Sequence, residues 1–183
     1  CMTWYDNRFP QPEQTEEEFA FLTANFKDTD VLLEYGSGHS TPNLAPLVDK
    51  MITVDHHPDW YNKVKDMCAE YTNVEHVLVE LDAPRIPPAD WSTNPARKYG
   101  YPTPHQCVES YVHWPETQTD TFDKVLIDGR GRQWVAPIVR PYLNEGHELF
   151  VHDYPDRERY FTIEAFYDII EVVGTMAKFR SKI

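Results

Sequence analysis

The stretch VLLEYGSGHST, Val31 to Thr41, decides how this chain is read. Val31, Leu32 and Leu33 open a short apolar run closed by glycine, the pattern of a strand buried on both faces of a parallel sheet. Gly36 and Gly38 flank Ser37 directly after it, and Pro42 suits the first turn of a following helix, where its missing N–H costs nothing. Strand, glycine turn and helix in that order let backbone approach a ligand closely while the helix offers free N–H groups. Such a turn cradles a nucleotide or cofactor. The dinucleotide pattern needs a third glycine or alanine where Thr41 stands, so NAD is disfavoured. Glycines after a strand also serve simply to make a tight turn, so the surrounding segments have to agree.

They do. Thr15 and Glu18 fit a capping box ahead of Phe19, Leu22 and Phe26, predicting a helix of roughly 13 residues. MITVD (Met51–Asp55) reads as a second strand, Pro58 to Tyr71 as a helix, and NVEHVLVELDA (Asn73–Ala83) as a third strand. DKVLIDG (Asp123–Gly129) and HELFVHDY (His147–Tyr154) are the fourth and fifth, and EVVGTMAKFRSKI supplies two last strands around Gly174. Ile163, Phe166, Tyr167 and Ile170 fall at helical spacing and predict one more helix after Asp156. Strands alternating with helices indicate a doubly wound α/β sandwich: a Rossmann-like three-layer arrangement over residues 1–183, expected as one domain. Residues 83–121 break the rhythm, holding seven of the fifteen prolines together with Trp91, Tyr99, Tyr101, Tyr111 and Trp114. So long a loop, rich in aromatics, reads as a cap over the sheet, with one short helix around Val108, Tyr111 and Val112 that Pro115 ends.

Asp55 closes the second strand 19 residues after Gly36, where a carboxylate can accept hydrogen bonds from ribose hydroxyls. Leu81-Asp82-Ala83 ends the third beside the same crevice. Together with LLEYGSG these segments resemble the class I S-adenosylmethionine-dependent methyltransferases. The resemblance implies a mostly parallel seven-stranded sheet with a final antiparallel hairpin. It makes Glu34, Gly36, Ser37, Gly38, His39 and Ser40 the first cofactor motif, Asp55 with His56 the ribose side, and Asp82 with Ala83 the adenine side. Ser40 stands where many members carry a third glycine. EYGSGHST, VLIDGRGR and VHDY are together similar to a narrower, little-characterised subgroup of small methyltransferase-like proteins.

Asp128 and Asp153 end the fourth and fifth strands and point to the crevice, where a methyl acceptor would lie. Two carboxylates there could hold a divalent cation such as Mg²⁺, against the common role of aspartate in capping a turn and a helix. His152 has the pKa of a general base, although strand alternation turns it from the face that Asp153 takes. Arg130 and Arg132 could grip an anionic acceptor, and Tyr99, Tyr101 and Tyr111 could sandwich a planar one. Trp60 reads as ordinary packing.

The expected reaction is methyl transfer from S-adenosylmethionine to a small acceptor, most naturally at oxygen. The alternatives are an aminopropyl-type transferase and a non-catalytic cofactor-binding or interaction module. Seventeen basic against 30 acidic residues, a formal charge of -13, argue against nucleic acid and anionic membranes as partners. No run of about eighteen apolar residues is present. Glu16, Glu17 and Glu18 stand where a signal peptide needs an apolar centre, so the expected setting is cytoplasmic, any leader removed before Cys1 aside. Cys1, Cys68 and Cys107 lack CxxC spacing and indicate neither disulfide framework nor zinc ribbon. A homodimer is compatible with this reading.

Overall fold

The computed structural model describes residues 3–83 and 105–182. Seven strands form one sheet: β1 (Val31–Tyr35), β2 (Lys50–Asp55), β3 (Val74–Leu78), β4 (Phe122–Ile127), β5 (Leu143–Val151), β6 (Tyr167–Val173) and β7 (Met176–Ser181). Their order is β3-β2-β1-β4-β5-β7-β6. Pairings from β3 through β5 are parallel, and β7 is antiparallel to both of its neighbours. This is the Rossmann-like sheet with the antiparallel final hairpin.

Alternation along the central strands builds two apolar layers. Leu33 and Tyr35 of β1 join Ile52, Val54, Val125 and Ile127 on one face, packed with Val108, Tyr111, Val135 and Ile163. Leu32, Met51, Leu126 and Phe150 face the other way, onto Phe19, Leu22 and Leu44. The helices are α1 (Glu16–Ala24), α2 (Thr41–Leu44), α3 (Pro58–Met67), α4 (His105–Val112) and α5 (Arg132–Val139). Burial on both faces explains why β1 reads as a continuous apolar run rather than an alternating one.

The capping box forms as the sequence predicts, Thr15 Oγ1 accepting from the Glu18 N–H and Glu18 Oε2 from the Thr15 N–H. The helix is shorter than predicted, nine residues, because the Asn25 amide turns back to donate to the Phe21 carbonyl and the chain leaves at Phe26. α3 likewise ends at Met67 and β3 at Leu78. The helix expected after Asp156 is not there: Glu158–Ala165 is a 3₁₀ segment and β6 starts at Tyr167. The apolar spacing of Ile163, Phe166, Tyr167 and Ile170 is fortuitous. The β-branched Ile169, Ile170, Val172 and Val173 favour strand, and the Tyr167 hydroxyl locks its start by donating to the Ala136 carbonyl. Of the cap, α4 and a 3₁₀ turn at Trp114–Thr117 are described, with the predicted helix in place and Pro115 just after it; Trp91, Tyr99 and Tyr101 lie outside the described residues. Among the described residues no helix is long and apolar enough to cross a membrane.

Candidate functional site

β1 is flanked by β2 on one side and by β4 on the other, so the chain crosses over in opposite directions from these strands and a crevice opens at their carboxyl ends. Gly36 sits there with φ of +88°, and a Cβ on it would come within 2.6 Å of the Gly129 backbone nitrogen. Only glycine satisfies both demands. The cleft has a volume of about 720 Å³ and is lined by the Gly36–Gly38 turn, by Gly129 and Arg130 after β4, and by the ends of β2 and β5.

On the β2 side, Asp55 is the organising group. Its Oδ2 accepts from the Ser37 N–H (3.1 Å) and hydroxyl (2.8 Å), and its Oδ1 from the His57 N–H (2.9 Å). Three donors leave one carboxylate lone pair open to a ligand. His56 lines the cleft beside it, its ring edge-on to Tyr111 at 5.5 Å. Glu34 lies beneath, fully buried. It accepts from the hydroxyls of Thr41 (2.6 Å), Thr53 (2.7 Å) and Ser40 (3.1 Å), which straps the glycine turn to β1 and β2. Burial pushes its carboxyl up to about 7 against the pull of those three hydroxyls. Glu34 thus shapes the turn and does not line the cleft. Ser40, at the position of the missing third glycine, is both a cleft residue and part of this strap.

His39 also lines the cleft, edge-on to Trp60 at 5.2 Å, with its Nε2 buried and unpartnered. Burial and the nearby Lys63 charge lower its pKa. Trp60, read from sequence as packing, is a wall of the cleft: its indole N–H donates to the Ser37 carbonyl and the Lys63 ammonium lies 4.9 Å over its ring.

The β4–β5 side is built from charge pairs. Asp128 Oδ1 lies 3.2 Å from His152 Nδ1 and 3.3 Å from the Arg132 guanidinium, while Oδ2 accepts from the Gln14 amide at 3.0 Å. His152 Nε2 is 3.0 Å from Glu18 Oε2, and Glu18 Oε1 accepts from the Thr175 N–H and hydroxyl. Arg132, also buried, donates to the carbonyls of Gly129, His152 and Asp128 and to Asp153 Oδ2. Asp153 has a left-handed backbone, φ of 57°, unusual for a non-glycine residue, and also pairs with Arg157 at 3.3 Å. Burial works against the charged form of His152, but the Asp128 hydrogen bond and the charges of Asp128, Asp153 and Glu18 outweigh it and raise its pKa to about 9.

These contacts bear on several sequence expectations. A histidine protonated at neutral pH and shared between two carboxylates has no lone pair to act as a general base, so His152 is a structural cation. Ligand atoms of Asp128, His152 and Asp153 do lie within 4.8 Å of one another. The donor set nevertheless does not suit a divalent ion: Arg132, Arg157 and His152 already compensate Asp128, Asp153 and Glu18, and a metal would have to displace them. Asp82 accepts from the Ser110 N–H and hydroxyl, tying the exit of β3 to α4; neither it nor Ala83 is among the residues lining the cleft. Tyr111 is fully buried under Gly129 and packs edge-on to Tyr35 at 5.1 Å, because the small glycine leaves its ring the room. Arg130 and Arg132 both line the cleft, Arg130 being engaged with other groups of the protein as well. Glu13, Gln14 and Lys63 line it too and were not singled out by sequence. The only local signal for the first two was their place just before the capping box.

No protein-family model matches the chain, and no curated protein matches it in sequence. Solved structures do. A methyltransferase-like protein from Silicibacter pomeroyi is 25% identical, with a TM-score of 0.70 over 94% of this chain and 89% of its own. The precorrin-6y C5,15-methyltransferase of Geobacter metallireducens is 14% identical, with a TM-score of 0.58 over 95% and 92%. An rRNA methylase from Streptococcus thermophilus is 11% identical, with a TM-score of 0.57 over 89% and 93%. The chain has the class I methyltransferase fold, and its cleft lies at the switch point between β1 and β4.

Proposed function

We propose that the chain is an S-adenosylmethionine-dependent methyltransferase acting on a small acceptor, with oxygen as the accepting atom. The observation that carries this reading is the cleft: about 720 Å³, the size of a small-molecule site, with a glycine turn after β1 and a carboxylate after β2 that keeps one acceptor position open. The methyltransferase-like relative and the shared fold support the choice of cofactor. The cofactor supplies an electrophilic methyl on a sulfonium centre. Asp55 and Ser37 would hold the ribose, His56 would border the base, and Asp128 would lie toward the reacting end. Asp153, with Arg130 and Arg157, would form the acceptor side, orienting a hydroxyl and any anionic group beside it. No nucleophilic side chain is needed, because alignment and exclusion of water carry most of the rate enhancement. The metal read from sequence has no part in this proposal, since its two carboxylates are already ion-paired.

The chain's acidity and the size of the cleft support a small acceptor, although structures of the same fold include an rRNA methylase and a ribosomal protein L11 methylase. The test is incubation with methyl-labelled S-adenosylmethionine and a fractionated cell extract. Label entering the small-molecule fraction is the expected outcome. Label entering RNA or protein would replace the acceptor class, and label recovered as methylthioadenosine, above an enzyme-free control, would indicate transfer of the aminocarboxypropyl group, the aminopropyl-type alternative. No transfer together with tight cofactor binding would favour the binding module.

A further inference from the structure

Gln14 is the least expected residue in the cleft. It precedes the cap of α1, it is 1% exposed, and it nonetheless lines the cleft. Its amide orientation is fixed by chemistry: Asp128 Oδ2, 3.0 Å away, belongs to an ion-paired carboxylate that only accepts, so Gln14 must turn its NH₂ toward it. That leaves Oε1, which is buried and has no hydrogen-bond partner among the described residues. A buried carbonyl without a donor costs on the order of 1–3 kcal/mol. Gln14 lines the cleft beside Asp128, across the Gly36 turn from Asp55, and a ligand that brought an N–H or O–H to Oε1 would cure the defect.

The surroundings narrow the class of that donor. The Oε1 carbonyl calls for a donor that carries no competing acceptor, and Glu13, which also lines the cleft, adds negative charge to it, so an ammonium meets the requirement better than a hydroxyl does. An adenosine thioether held at Asp55 and extending past Gly36 toward β4 brings its amino-acid tail to this end. We propose that Gln14 is a specificity-determining residue whose Oε1 receives the α-ammonium of that tail, so that the N-terminal segment selects ligands carrying the whole amino acid. The proposal rests on the cofactor reading above and extends it to a residue outside the strand-end motifs. The same residue couples the ligand to the fold, because Gln14 is bonded to Asp128, Asp128 to His152, and His152 to Glu18 of α1.

The test compares wild type with Gln14→Met by calorimetry, using three probes: S-adenosylhomocysteine, its analogue lacking only the amino group, and 5′-methylthioadenosine, which lacks the tail altogether. Methionine keeps the length and removes the oxygen. The expected result is that Gln14→Met weakens S-adenosylhomocysteine binding about tenfold or more while methylthioadenosine binding changes by less than about twofold. The desamino analogue should bind both proteins equally, because the variant has nothing further to lose. Unchanged affinity for S-adenosylhomocysteine in the variant overturns the proposal. Equal loss for all three probes also overturns it, by showing that Gln14 supports the cleft as a whole. Failure of wild type to bind any of the three would reject the cofactor reading itself, whereas binding of methylthioadenosine as tightly as S-adenosylhomocysteine would reject only the role of the tail.

Discussion

The two sides of the cleft hold buried carboxylates by opposite means. On the β1–β2 side Glu34 and Asp55 are met by hydroxyls and backbone N–H groups, six contacts in which no lysine or arginine takes part. On the β4–β5 side Asp128, Asp153 and Glu18 are met by Arg132, Arg157 and His152. Hydroxyls can turn to accommodate a carboxyl that takes up a proton, and burial raises the pKa of Glu34 in spite of the three that donate to it. Cations cannot release their partner without being left charged and buried. The first side is therefore tolerant in stability and exposed to a ligand through Asp55, and the second is a rigid ionic floor.

The largest effect expected from this contrast is that of Asp128→Asn. The change is nearly isosteric, yet it removes charge facing Arg132 and His152, both largely buried. A loss of about 3–5 kcal/mol in denaturant unfolding is expected. A loss below about 1 kcal/mol would show that the ion network is not sustaining this side.

Next comes a pH dependence. His152 binds its proton more tightly in the folded chain, with a pKa of about 9 against an ordinary 6.5. Its contribution is therefore complete below pH 6.5 and is lost as pH rises to about 9. On the order of 2–3 kcal/mol should disappear over that window. His152→Gln should unfold more easily at pH 6 and show a flatter profile from 6.5 to 9; an equally steep profile would assign the loss to another group.

On the opposite side the effects pass to binding. Asp55→Ala removes a carboxylate that orders Ser37 and offers a position to a ligand, and it should weaken S-adenosylhomocysteine at least tenfold, by about 1.5–3 kcal/mol, in calorimetry. The smallest stability effect is that of Glu34→Gln. Burial makes ionisation of Glu34 costly in the folded chain, so wild type loses stability as pH climbs from 4.5 toward about 7. Glutamine avoids that ionisation. At pH 8 the variant should lie within about 1 kcal/mol of wild type or above it, and its pH profile should be flatter between 4.5 and 7. Severe destabilisation at pH 8 would mean that Glu34 is required as an anion.

The same contrast explains what could be read from the sequence. The β1–β2 side is local: Glu34, Gly36, Ser37, Gly38 and Ser40 are consecutive or nearly so, and Asp55 ends the adjacent strand, so the spacing carried the geometry. The β4–β5 side assembles Gln14, Glu18, Asp128, Arg132, His152 and Asp153 from three distant stretches, and no spacing rule links them. Asp128 and Asp153 could be placed at strand ends, but the cations that make them poor metal ligands could not. Tyr111 was readable as helical and aromatic, whereas its burial beneath Gly129 depends on the close approach of β1 and β4. β6 was misread at its start because an edge strand with Ile169, Ile170 and Val172 exposed carries no clean alternation to mark it.

The central claim is that this cleft binds an adenosine cofactor through the glycine turn and Asp55. Isothermal titration of the wild-type chain with S-adenosylhomocysteine tests it most directly, with Asp55→Ala titrated alongside. The expected result is one site per chain on wild type and at least tenfold weaker binding to the variant. No heat of binding on a folded wild-type chain, or equal affinity in both proteins, would contradict it.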